Sequence, residues 1–266
     1  MISGVCYDDD ARVPTAPGEE GKVSGAELDL STSDGNRFPA YLASPERPTG
    51  PPLVLLPDAG GLDPFYRELA RRFAGLGQPT LAIDYYGRTA ESRTRDDGFD
   101  YLPHQKQLLR ETMLLDVRAG VDHLSAVAGE VPFLLGFCLG GATVLLAGTT
   151  DLDVAGVVAF YPWTGELGRE PALPDEFVAG VRRPVLGLFG DADVVIPTAV
   201  PRAFDDHLGK AGVPHEIVIY PGAPHGFFER HYLDREVRPE VVDDVWRRLT
   251  AFFGAPGELS DGRAAA

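Results

Sequence analysis

The stretch "LLGFCLGGAT" (residues 134–143) decides how the chain is read. An apolar run enters it, Cys138 stands between Gly136 and Gly140 with Gly141 behind, and small and apolar residues lead away. Continuous apolar residues bounded by glycine read as a strand buried on both faces, and the segment after them reads as a helix. Gly-Phe-Cys-Leu-Gly therefore has the spacing of a sharp strand-to-helix turn that carries a nucleophile, with cysteine where serine is commoner. Only small neighbours let a helix begin so close to the strand. The helix N-terminus would face the sulfur with free N–H groups and the positive end of its dipole, favouring a thiolate and a developing oxyanion. A cysteine packed as a small hydrophobe among glycines fits the same five residues.

Outward from this turn, short β-like runs alternate with longer helical ones. "AELDLSTSDGNRFPAYLAS" (26–44) reads as a hairpin turning at Asp34-Gly35-Asn36. Strands are expected at 51–57, 79–85, 131–137, 154–161, 183–190 and 215–222. Apolar periodicity predicts helices over 63–77, about 105–127, from about 139, about 197–212 and about 238–253. The alternation predicts a mostly parallel central sheet flanked by helices on both faces. One domain over 25–254 is expected, after a Pro/Gly-rich N-terminal arm (1–24) and before a flexible tail (255–266).

The 24 basic against 40 acidic residues give a net charge of −16, which argues against nucleic acid or an anionic membrane as partner. No apolar run approaches the roughly 20 residues of a membrane span. The start shows no basic region followed by an apolar stretch, so the expected location is cytoplasmic. Two cysteines, Cys6 and Cys138, make neither a disulfide framework nor a zinc set. With no metal-ligand cluster, phosphate loop or nicotinamide fingerprint, the expected partner is a small molecule, without cofactor or metal. Monomer and homodimer both fit.

A thiol nucleophile needs a base, and the base an orienting carboxylate, in the chain order nucleophile, acid, histidine. "LGLFGDADVVIP" (186–197) leaves a strand at Gly190 and presents Asp191 and Asp193; "YPGAPHGFF" (220–228) leaves another and presents His225. Both segments fall at the carboxyl edge of the sheet, where open α/β sheets bind ligands. His104, His123, His207, His215 and His231 lack that combination of strand end, small flanking residues and order. The pattern G-x-x-D leaves room for Asp193 to turn toward His225, whereas Asp191 is expected to cap the turn or the next helix.

These segments together resemble the dienelactone hydrolase family of α/β-hydrolases. The resemblance rests on "GFCLGG", "LGLFGDADVVIP", "YPGAPHGFF" and "LVLLPDAGGLDPFYRELARRFAGLGQPTLAIDYYGR" (53–88), and spans roughly 25–254. It implies an α/β-hydrolase fold and hydrolysis of a small ester or lactone by a Cys138-His225-Asp193 triad through an acyl-enzyme. Leu139 and Ala59 N–H groups would form the oxyanion hole. Asp58 stands where the family's best-studied members carry a glutamate that modulates the thiol. Arg88 matches an arginine that holds a substrate carboxylate. Gly226 replaces a serine after the histidine, and Glu229, with Arg230 beside it, replaces a second arginine. Tyr101, Trp163 and Phe227, with Phe99 and Phe228, are expected to line the substrate site. A non-hydrolytic enzyme of secondary metabolism (cyclase, lyase or acyl transferase) is the alternative on the same scaffold.

Overall fold

Leucine-rich runs too short for helices become the middle of a sheet. In the computed structural model, which describes residues 12–18, 21–95, 98–228 and 239–257, the strands are β1 (Val23–Ser31), β2 (Arg37–Pro45), β3 (Leu53–Leu56), β4 (Thr80–Ile83), β5 (Phe133–Phe137), β6 (Val157–Phe160), β7 (Val185–Gly190) and β8 (His215–Tyr220). They form one sheet in the order β1-β2-β4-β3-β5-β6-β7-β8. β1, β2 and β4 pair antiparallel, and the remaining neighbours are parallel. This is the expected α/β-hydrolase arrangement.

Alternation along β3 and β5 feeds two cores. Leu53, Leu55, Phe133, Leu135 and Phe137 face α1 (Pro64–Gly75) and the last helix, α6 (Pro239–Gly254). Val54, Leu56 and Leu134 face α3 (Arg110–Ala128), α4 (Leu139–Gly148) and α5 (Ala199–Ala211). Each such fully buried aliphatic or aromatic side chain contributes about 1.5–3 kcal/mol by leaving water. β1 begins at Val23, and Val13 and Ala16 of the N-terminal arm are buried in the first core. Cys6 and the far tail lie outside the described residues.

The helix expected over about 105–127 starts later, as α3 at Arg110, after a short α2 (Leu102–Gln105) and a break at which Leu109 is extended. Two observations give the reason. Leu108 turns into an apolar cluster with Ala59 and Leu139. The first N–H of α3, that of Arg110, is accepted by the Glu170 carboxylate at 2.9 Å, a cap supplied from a distant loop. Among the described residues no helix is long and apolar enough to cross a membrane.

The chain leaves β3 toward β4 and then crosses back over β3 to reach β5, so the connections diverge at the carboxyl ends of β3 and β5. That divergence opens a crevice in a parallel sheet. Ala59 follows β3 and Cys138 follows β5, so both loops border it.

Candidate active site

Cys138 adopts φ 49° and ψ −109°, a left-handed conformation strained for any side chain. Its backbone is stapled on both sides. The N–H donates to Phe160 O at 3.0 Å, and the carbonyl accepts from Ala142 at 3.1 Å and Trp163 at 2.9 Å. A Cβ at Gly136 would collide with the Gly140 carbonyl, and one at Gly140 with the carbonyls of Leu56 and Pro57. The glycines exist because strand, turn and helix touch there. Cys138 is buried and forms no disulfide among the described residues.

His225 sits in the loop after β8 and Asp193 in the loop after β7. His225 Nε2 lies 3.3 Å from Cys138 Sγ, and Nδ1 lies 2.8 Å from Asp193 Oδ2. Asp193 keeps its other oxygen on the N–H groups of Val195 (2.7 Å) and Ile196 (2.8 Å), which fixes the carboxylate in place. Asp191 instead accepts the Gly222 N–H and ties down the loop that carries His225. Gly226 has φ 70°, so a left-handed turn beside the histidine favours glycine over the serine of the resemblance. Burial alone would depress the His225 pKa. Its hydrogen bonds to Asp193 and Cys138, together with their charges, outweigh burial and raise it to about 9. The imidazole is thus set to hold a proton at neutral pH beside the sulfur, whose negative charge the N-terminus of α4 favours.

The loop after β3 faces this pair. Asp58 N–H donates to Tyr66 Oη (2.9 Å), Gly60 N–H to Asp58 Oδ1 (2.8 Å), Gly61 N–H to Asp58 O (3.3 Å), Leu62 N–H to Asp84 Oδ1 (3.1 Å) and Asp63 N–H to Gly61 O (2.9 Å). Among the described residues, this leaves the Ala59 N–H as the one backbone donor from Asp58 to Asp63 without a hydrogen bond. Ala59 and Leu139 belong to one apolar cluster with Tyr101, and Trp163 packs against it. A small pocket lined by Leu139, Leu146, Trp163, Leu167, Leu173 and Arg110 adjoins the turn.

The match of the dienelactone hydrolase family model covers residues 38–256. This chain belongs to the dienelactone hydrolase family. Like the rest of that family it is a hydrolase. The "Putative carboxymethylenebutenolidase" of Yersinia pestis is 28% identical over 239 residues, covering 85% of this chain and 86% of that one. A Bradyrhizobium protein named "Probable 2-oxo-3-(5-oxofuran-2-ylidene)propanoate lactonase" is 29% identical, covering 85% and 92%. The crystal structure titled "Putative Dienelactone Hydrolase", from Klebsiella pneumoniae, superposes with a TM-score of 0.71 at 26% identity, covering 88% of this chain and 99% of that one.

Within this family frame, several expected site residues are placed elsewhere. Arg88 donates to Asp34 (2.6 Å) and Asp116 (3.0 Å), so its guanidinium is already held between two carboxylates. A substrate carboxylate would have to compete with Asp34 and Asp116 for it. Phe227 is fully buried against Phe160, Tyr161 and Tyr220, and Phe228 against Phe137, Phe160 and Trp246. Both are core residues that brace the histidine loop rather than walls of a pocket. Phe99 stacks on His104 and lies under the Arg95 guanidinium. Glu229, Arg230 and His231 lie outside the described residues. Tyr161, whose φ is 34°, sets its ring edge-to-face with His225 at 5.1 Å between centroids. Sequence reasoning passed over it; its place at the carboxyl end of β6 was the signal available. Among the described residues no group of three or more His, Cys, Asp or Glu side chains could hold a metal ion.

Proposed function

We propose that this family member hydrolyses a small carboxylic ester or lactone through a thioester on Cys138. The observation that carries the reading is the serial arrangement Sγ···Nε2 3.3 Å and Nδ1···Oδ2 2.8 Å, with the Ala59 N–H unengaged among the described residues. The Cys138 thiolate adds to the carbonyl carbon, and the oxygen takes the negative charge between the N–H groups of Ala59 and Leu139. Collapse of the tetrahedral intermediate breaks the C–O bond, and His225 Nε2 gives its proton to the departing oxygen. In a lactone the new alcohol stays on the acyl chain. Water then adds to the thioester, His225 takes its proton, and the carboxylic acid leaves as the thiolate reforms. Asp193 holds the imidazole with Nδ1–H toward itself throughout, the role of the acid in such triads. Asp58, a buried carboxylate next to Ala59, is the proposed modulator of the thiol, and Tyr101 and Trp163 are the proposed contacts to substrate. The relatives named as a butenolidase and a lactonase support lactones as the substrate class.

Two measurements test this. Hydrolysis of an activated ester or lactone in ¹⁸O-labelled water is expected to put label into the acid product, and rapid quenching to give a protein heavier by the acyl group on Cys138. An isomerised or coupled product without label would assign the scaffold to the non-hydrolytic alternative.

The pH profile gives a second expectation. A histidine raised from 6.5 to about 9 keeps the proton it must give the leaving group until that range is passed. kcat/KM is therefore expected to fall as pH rises through about 9. The sign for stability is the same. A raised histidine pKa stabilises the fold fully below the ordinary imidazole value of 6.5, and that contribution is lost as pH climbs through about 9. Rates across pH 6 to 10, with thermal midpoints alongside, check both.

A further inference from the structure

Three tyrosine hydroxyls converge on three consecutive residues of the loop after β3, Pro57, Asp58 and Ala59. Tyr66 Oη accepts the Asp58 N–H at 2.9 Å. Tyr85 Oη donates to the carbonyls of Pro57 and Asp58. Tyr86 Oη donates to the Ala59 carbonyl at 2.6 Å. All three tyrosines are buried. None is among the site residues expected from the sequence.

The peptide plane turns these contacts into a device. A trans peptide is flat, so its C=O and N–H point in opposite directions. The Asp58 carbonyl and the Ala59 N–H are the two ends of one such plane. A hydroxyl that grips the carbonyl end therefore sets where the N–H end points. Tyr86 fixes the next plane through the Ala59 carbonyl, so the loop cannot twist to relieve the first. We propose that Tyr85 is a positioning residue that aims the Ala59 N–H at the oxyanion, with Tyr86 locking the adjoining peptide. This rests on the reading of Cys138 as nucleophile. Burial, with the neighbouring charges of Tyr86, Asp58, Asp84 and Cys138, pushes the Tyr85 pKa well above its ordinary value, so the hydroxyl remains a donor wherever the enzyme works.

A donor aimed only at the transition state changes kcat and leaves ground-state binding alone. Removing one oxyanion donor costs about 10²–10³ in kcat, so misaiming one is expected to cost roughly tenfold or more. Tyr85→Phe in the full-length protein is expected to lower kcat by about tenfold with KM unchanged within about twofold. A trifluoromethyl ketone that adds to Cys138 and places an oxyanion in the hole should bind Tyr85→Phe weaker by the same factor as kcat falls. The product carboxylate should bind both proteins alike. Tyr86→Phe is expected to show the same split, and carries the test if Tyr85→Phe does not fold. The proposal is overturned if kcat and ketone affinity are unchanged in the folded variant, or if KM rises with kcat intact. Failure of the nucleophile reading looks different, because the wild-type protein would then not form the ketone adduct at Cys138 at all.

Discussion

Replacing Cys138 by alanine is expected to lower kcat/KM by about four orders of magnitude or more, leaving only what the oxyanion hole and binding supply. The variant should fold as well as the parent, because alanine fits the space and the turn is held by backbone bonds to Phe160, Ala142 and Trp163 rather than by the sulfur. Serine is the sharper substitution. The turn geometry would present a hydroxyl as readily as a thiol, so a loss in Cys138→Ser reports chemistry and not placement. An imidazole that holds its proton up to about 9 suits a thiolate, which needs no base to form it at neutral pH. A serine needs the opposite, a neutral imidazole to take its proton. Cys138→Ser should therefore be slower than the parent by about a hundredfold or more, within the range general-base assistance supplies. Its kcat/KM should rise with pH as the imidazole loses its proton, and do so below the pH at which the parent falls, because part of what raises the His225 pKa is the Cys138 sulfur itself. Activity within a few fold of wild type in Cys138→Ala would show that the sulfur is not the nucleophile and would end the triad reading.

Much of this geometry is legible in the chain because it is local. The turn at Cys138 needs glycine at 136 and 140 for steric reasons that any sequence with this fold must meet, and its spacing alone shows it. Asp193 and His225 could be picked out since each leaves a strand of the parallel sheet on the same edge. What the chain hid depends on partners remote in sequence. The break between α2 and α3 is set by Glu170 reaching back to Arg110, and periodicity over 105–127 carries no trace of it. The ion pairs of Arg88 are hidden because Asp34 and Asp116 reach it from the β1–β2 turn and from α3. Phe227 and Phe228 follow the histidine directly, yet the loop points them down into the first core and not up toward the sulfur. An aromatic residue near a catalytic motif can face either way. Only packing decides.

Arg95→Met is expected to cost about 3–5 kcal/mol, because it leaves the Asp84 carboxylate buried without its cation. Both groups are almost wholly shielded, with side-chain exposures of 1% and 0%. The pairing is bidentate, Nε to Oδ1 at 3.1 Å and Nη2 to Oδ2 at 2.8 Å, and the guanidinium lies over the Phe99 ring at 4.5 Å. Asp84 also accepts the N–H groups of Leu62 and Tyr86, so one carboxylate joins the loop after β3, the end of β4 and the irregular segment that holds Phe99 and Tyr101. The thermal midpoint should fall by about 10 °C, given roughly 2–4 °C per kcal/mol in a protein of this size. Lysine at 95 should recover only part of the loss, since a point charge replaces neither the fork nor the stack. The double variant Arg95→Met, Asp84→Asn should be more stable than Arg95→Met alone, because the charge left stranded is then gone. Such non-additivity would show that the cost lies in the unpaired carboxylate rather than in lost packing of the arginine stem. Equal losses in the single and double variants would mean the opposite: the segment is held by the Phe99 stack, and the ion pair adds nothing net.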